Sequence, residues 1–443
     1  MSLLGLGICG CVLLLSLLAL SMPVGFAMAL TGLLGYALAT GSLTGAGHML
    51  MSACTETFSK YDLSVIPLFI FMGQIVFHAG ISRRLYDVAY RWIGRLPGGL
   101  AMATVWACAA FGAICGSGPA TAATMAAVSL PEMRRRNYGM TLATGTVAAA
   151  GSLGMLIPPS VVFIVYGVMT KVSPAKLFMA GVVPGLLIAL IFCLYIGIVC
   201  WRHPDIGPAG EPFTWRQRLA SLAGVVESLA IFLVVMGGMF IGWFTPTEAA
   251  AIGAAASLIA AAARRALTFA VLRRALLETL QMSCMVLIVI AGATMFGRFL
   301  GITNLPSSLA MALTSMQLPE LLTVTVILLC FILGSCIIDA LALVMLTIPI
   351  LLPVVQRLTW AGSRENALIW FGVLTVMVVQ MGVITPPVGV NVYVVSGIAR
   401  DMPLQRIFRG ALPYVWLLLL ATLITLLCPN IALWLPTFMK SWS

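Results

Sequence analysis

Between Gly151 and Tyr166 the chain reads GSLGMLIPPSVVFIVY, a proline pair inside an apolar run long enough to cross a bilayer. This segment cannot be one unbroken helix. Gly151 and Gly154 loosen the backbone, while Pro158 and Pro159 remove two amide donors and their rings clash with the preceding turn. Backbone groups released at membrane depth find no water, so such a break survives only where protein buries it or where it lines a cavity. A second interruption of the same kind, MGVITPPVGVNVYVV, covers Met381 to Val395. Paired broken helices in corresponding halves of a membrane chain are a pointer to a binding site on a translocation route.

Composition places these breaks in lipid. Of the 443 residues, 61% are hydrophobic and 8% charged, against roughly a quarter charged in soluble domains. The apolar runs are continuous and do not alternate, which excludes an outer-membrane barrel. The fold class is therefore an all-α polytopic membrane protein, with ten spans expected near 3–20, 24–43, 64–80, 139–170, 177–200, 219–242, 247–263, 282–300, 366–398 and 411–428. Leu3 to Leu20 lacks a basic flank and reads as a first span, not a cleaved signal.

The net charge of +11 does not mark a nucleic-acid partner, because the basic residues sit in short loops between apolar runs. With ten spans, 17 of the 24 Lys and Arg fall on one face, in clusters such as Arg83 to Arg95, Arg134 to Arg136 and Arg400 to Arg409. Lys60, Lys171, Lys176, Arg298, Arg357, Arg364 and Lys440 fall on the other. The richer face is expected to be cytoplasmic, with both termini periplasmic. Segments 81–96 and 263–280 are amphipathic at helical spacing and are expected to lie in the interface as struts. The eleven cysteines form no CxxC, and His48, His78 and His203 are unclustered, so no transition-metal site is expected. No phosphate loop or nucleophile motif occurs, which argues against ATP hydrolysis and against an enzyme.

The chain repeats its own spacing. Ser117 precedes Pro131 by 14 residues and Ser335 precedes Pro349 by the same 14. Ser129-Leu130-Pro131 matches Thr347-Ile348-Pro349, and Ile157-Pro158-Pro159 matches Thr385-Pro386-Pro387. Five spans per half is an odd number, so two inverted repeats are expected, 1–218 and 219–443. The stretches 98–131 and 319–352 each break at Gly-Ser. Fourteen residues of helix reach only about 21 Å, short of the ~30 Å hydrocarbon core. Each stretch is therefore read as a re-entrant hairpin, paired with the broken helix at 139–170 or 366–398.

The first tip, GSGPATAATM, brings small residues with the hydroxyls of Ser117, Thr121 and Thr124, and Pro119 suits the first turn of the second half-helix. The second, GSCIIDALALVM, contains Asp339, and a carboxylate inside a membrane segment marks an ion or proton site by default. Arg298 is the one candidate partner that would make Asp339 structural instead. Glu227 lies within a span with a structural and a functional role both open. The breaks add Ser152, Ser160, Thr385 and Asn391 as oxygen donors, which suit a hard monovalent cation, while half-helix N-termini suit an anion. Thr121, Ser160 and Asn391 are expected to line the substrate.

Together these residues resemble the large membrane subunit of the tripartite ATP-independent periplasmic (TRAP) transporters. The resemblance spans nearly the whole chain: LLALSMPVGFAMALTGLLGY, SLPEMRRRNY, GSLGMLIPPSVVFIVYG, GSCIID followed by Pro349 and Pro353, and TPPVGVNVYVVSGIARD. It implies a sodium-driven elevator-type transporter of small organic anions in the bacterial inner membrane. It also implies a small four-helix membrane subunit, expected here as a separate chain, and a periplasmic substrate-binding protein. By the same resemblance, Ser117, Gly118, Ser152, Gly154 and Pro158 would form one sodium site, and Ser335, Asp339, Thr385, Pro386 and Gly389 the other. Pro119 departs from the small polar residue expected at that place. The rivals are a sodium–dicarboxylate carrier of related fold that needs no binding protein and, from another class, an integral-membrane transferase.

Overall fold

The computed structural model describes residues 2–315 and 319–439; Lys440 lies outside them. Among the described residues all regular structure is helical. Six helices among the described residues are long and apolar enough to cross a membrane: Tyr61–His78, Pro174–Arg202, Pro246–Ala263, Phe269–Thr303, Arg364–Gly382 and Leu404–Leu427. Trp215–Leu222 and Val226–Ile241, bent by 49° where they join, make a seventh. Leu3–Ala19 and Val24–Thr40 are apolar helices of 17 residues. The outer surface fits lipid. On Pro174–Arg202, Leu186, Leu190, Leu194 and Ile198 point out at helical spacing while Ile188, Phe192 and Ile196 are buried.

Ten uniform spans is too simple a picture. Segment 263–280 is not a free interfacial strut, because Phe269–Thr303 runs as one 35-residue helix through it and the expected span at 282–300. Thr268 caps its start by accepting the Val271 amide, and no proline interrupts it. Leu43–Ser59 forms a further helix that hydropathy did not signal, since His48, Thr55 and Glu56 dilute its apolar content. The expected span at 219–242 contains both the bend and a π-helical stretch, Leu233–Gly237. Ile81–Ile93, by contrast, is helical where the amphipathic pattern placed it.

Two partly exposed ion pairs bear on acids that the sequence left open. Glu227 chelates the Arg264 guanidinium nitrogen with both carboxylate oxygens, tying the bent helix pair to the end of Pro246–Ala263. Arg298 pairs with Glu56 at 2.7 Å, which removes it as the partner of Asp339. Breaking a shielded pair strands one charge, so Glu227→Gln is expected to cost about 1–3 kcal/mol after discounting for partial exposure. Thermal unfolding of the purified variant checks this.

The centre of the molecule is Arg364–Gly382, in which every residue from Ala367 to Gly382 is buried. Hydrogen bonds join this core and the helices packed around it across long stretches of sequence. Tyr166 donates its hydroxyl to the Leu368 carbonyl at 2.7 Å, Trp370 donates to the Thr425 carbonyl at 3.0 Å, and Thr146 meets the Tyr414 hydroxyl at 2.6 Å. With no water in reach these bonds fix the relative positions of the broken helices.

Candidate functional site

Four interruptions meet around one cavity. The first lies between Gly99–Cys115 and Gly118–Arg135, the second between Met140–Gly151 and Val161–Thr170. The third lies between Glu320–Ser335 and Ala340–Val355, the fourth between Arg364–Gly382 and Val390–Ile398. At the first, Gly116 takes φ +65° and Ser117 is extended before helix resumes. Gly116 is needed twice over, because a Cβ there would also strike the Pro159 carbonyl. The first tip lies on the first break with little between them. A Cβ on Gly154 would sit 2.6 Å from Thr121 Oγ1 and 3.0 Å from the Ser117 carbonyl. The second tip sits on the second break in the same way: a Cβ on Gly382 would strike the Ser335 carbonyl, and the Val388 amide donates to the Cys336 carbonyl at 3.3 Å. Both proline pairs have a cis bond between their members.

The cavity has a volume of about 420 Å³. Ser117, Gly118 and Asp339 line it, joined by Met155 and Val383 from the breaks. Ile70, Met282, Met285 and Val286 close the opposite wall. All four second half-helices begin at this cavity, with Gly118, Val161, Ala340 and Val390 as first residues. The first amides of a helix lack partners within it and carry the positive end of its dipole. Ser160 and Asp339 cap their own helices, accepting from Phe163 at 3.5 Å and Leu341 at 3.1 Å. Ser117 and Gly389 make no side-chain cap, although at Val390–Ile398 the Asn391 amide already donates to the Val383 carbonyl at 2.9 Å. Among the described residues no Lys, Arg or His lines the cavity.

The hydroxyls at tips and breaks share one pattern. Thr121 donates to the Ser117 carbonyl (2.7 Å), Ser152 to Ala149 (2.7 Å), Ser335 to Ile332 (2.9 Å) and Thr385 to Met381 (2.6 Å). A hydroxyl has one donor and two lone pairs. With the proton committed to backbone, the lone pairs remain for a cation. Asp339 has no ion-pair partner among the described residues. The chemistry on offer is thus an anion at helix N-termini beside hard-cation oxygens.

The residues expected to line the substrate fall elsewhere. Thr121 holds the Ser117 carbonyl, Ser160 donates to the Met155 carbonyl and Asn391 donates to the Ala148 carbonyl at 2.9 Å, so none of the three lines the cavity. Pro158 is buried, whereas Pro386 is exposed. Ser152 and Gly154 lie buried behind the first tip, and Ser335 and Gly389 are buried around the second. The methionines of the wall carried no polar signal in the sequence; their flexible thioethers suit a cavity that must fit changing contents.

The family model for the tripartite ATP-independent periplasmic transporter, DctM component, matches residues 11–431. The chain belongs to this family. This TRAP large permease is 36% identical over 385 residues to the C4-dicarboxylate TRAP transporter large permease protein DctM of Pseudomonas aeruginosa, covering 87% of this chain and 88% of that one. It is 31% identical over 428 residues to the sialic acid TRAP transporter large permease protein SiaM of Vibrio cholerae, covering 95% and 96%. Such relatives are permease subunits of transporters, not enzymes. In fold, the TRAP large permease is similar to the crystal structure of the Alcanivorax borkumensis YdaH transporter, with TM-score 0.63 and 15% identity over 86% of this chain and 88% of that one. MtrF of Neisseria gonorrhoeae gives a TM-score of 0.56 at 15% identity, covering 90% and 85%.

Proposed function

We propose that this large permease carries a small organic anion inward, coupled to sodium, through the cavity between the two tips. One observation carries the reading: four half-helix N-termini open on a cavity that also holds Ser117 and Asp339. An anion gains from the N-termini, and sodium ions at the two tip–break contacts offset the charge of substrate and Asp339. The ions take Ser117, Gly118, Ser152 and Gly154 on one side and Ser335, Thr385 and Gly389 on the other, with Asp339 between them and the substrate. Without a basic side chain in the cavity, anion binding depends on the sodium already bound.

The four broken elements form the moving body of an elevator, and the walls of Tyr61–His78 and Phe269–Thr303 belong to the scaffold it slides against. Spacing in the sequence and the paired order of breaks support two inverted repeats. The distribution of Lys and Arg supports a bacterial inner-membrane protein with both termini and the Lys60 face on the periplasmic side. Family membership and relatives for C4-dicarboxylate and sialic acid support a periplasmic binding protein and a small four-helix subunit as partners.

Uptake into proteoliposomes under an inward sodium gradient, with both partners present, tests the reading. Uptake that needs sodium and the binding protein is expected; full uptake in potassium, or without the binding protein, would refute it. Within this assay Ser117→Ala removes one hydroxyl ligand. It should raise the sodium concentration for half-maximal uptake roughly threefold to tenfold, the worth of about 1 kcal/mol.

A further inference from the structure

A second cavity lies beyond the first on the same walls. Along Phe269–Thr303, Val286 faces the central cavity, and Thr294 and Arg298 face the second. Along Ala340–Val355 the corresponding residues are Leu341 and then Pro349; along Val161–Thr170 they are Val162 and then Val168. Tyr61–His78 runs the other way, from Ile70 to Leu63. Steps of six to eight helical residues amount to roughly 9–12 Å. Four elements thus carry one route from the central cavity to the Lys60 face, along the boundary between moving body and scaffold.

The charge on this route is at its outer end. The second cavity, about 420 Å³, holds Lys60, Arg298 and Glu56, and a neighbouring one of about 440 Å³ shares Lys60 and adds Lys171 and Asp62. Three of the seven basic residues assigned to this face therefore border the two cavities. Arg298 engages Glu56 at 2.7 Å and the Met49 carbonyl at 3.5 Å. Lys60 has no ion pair or side-chain hydrogen bond within the described residues. Thr57 is only 3% exposed, yet lines the cavity, and its hydroxyl makes no hydrogen bond within the described residues. An idle ammonium and an idle hydroxyl at one cavity are what a carboxylate would take up.

We propose that the Lys60 cavity is an outer anion station, where a carboxylate of the organic anion pairs with Lys60 and accepts from Thr57 before entering the central cavity. The proposal rests on the transport reading above but names a site which that reading does not use. The sequence has four lysines, which allows a direct test. The protein in nanodiscs is acylated with an amine reagent, and each lysine is followed by mass spectrometry in succinate or in chloride of equal ionic strength. Succinate is expected to slow acylation of Lys60 about fivefold relative to chloride. Lys176, tied to Glu365 at 2.5 Å, should be unaffected. Thr57→Val should lose most of this protection, and Ser117→Ala should keep it. Equal slowing by chloride, or slowing of Lys176 alongside Lys60, would overturn the proposal. So would shielding of Lys60 by the folded binding protein but not by succinate, which would make the surface a protein contact. The acylation does not depend on uptake, so Lys60 protection without sodium-driven transport would refute the transport reading and leave the station standing.

Discussion

Asp339→Asn is expected to raise the sodium concentration for half-maximal uptake by about tenfold or more, while the protein still reaches the membrane in near-normal amounts. The reasoning is electrostatic. Asp339 borders the central cavity, caps Ala340–Val355 through the Leu341 amide and has no cationic partner among the described residues, Arg298 being held by Glu56. Asparagine is also a good capping residue, so the helix start survives. What is lost is one full negative charge beside the oxygens proposed to hold the cation, and a tenfold change needs only ~1.4 kcal/mol. Uptake measured across a sodium titration decides the matter. An unchanged half-saturation would reduce Asp339 to a cap.

Gly116→Ala should remove transport altogether and lower stability by about 2–5 kcal/mol. Two costs add here. A left-handed φ costs an alanine roughly 1–2 kcal/mol, and the new methyl would strike the Pro159 carbonyl, an overpacking cost of about 1–3 kcal/mol. The clash is with backbone, so no side-chain rotation relieves it. Any relief must separate the first tip from the first break, which dismantles the oxygen cluster itself. Gly301→Ala is the matched control. It lies within Phe269–Thr303 with nothing within 4 Å of the added atom, and should be neutral or slightly stabilising. Thermal unfolding and uptake of the two variants, side by side, test the contact.

Much of the site could be read from sequence because its elements are breaks, and breaks are written in glycine and proline. Gly-Ser at both tips and the proline pairs at Pro158 and Pro386 mark the four places where helix stops. Which oxygens face the cavity could not be read. Thr121, Ser160 and Asn391 carry the right chemistry, but each is turned to a backbone carbonyl by rotamer and packing choices that spacing does not encode. The wall of Met282, Met285 and Val286 was hidden because an apolar cavity lining is indistinguishable in sequence from an apolar core. Hydropathy also split Phe269–Thr303 at a change in polarity where the backbone continues, and it passed over Leu43–Ser59 because polar residues are spread through it.

Cryo-electron microscopy of the protein in lipid nanodiscs, once in sodium and once in potassium, tests the central claim most directly. The account predicts helix ends at Ser117 and Ser335, with added density beside Ser117 and Gly154 and beside Ser335 and Thr385 that is present in sodium and absent in potassium. Continuous helix through either serine, or identical maps in the two salts, would contradict it.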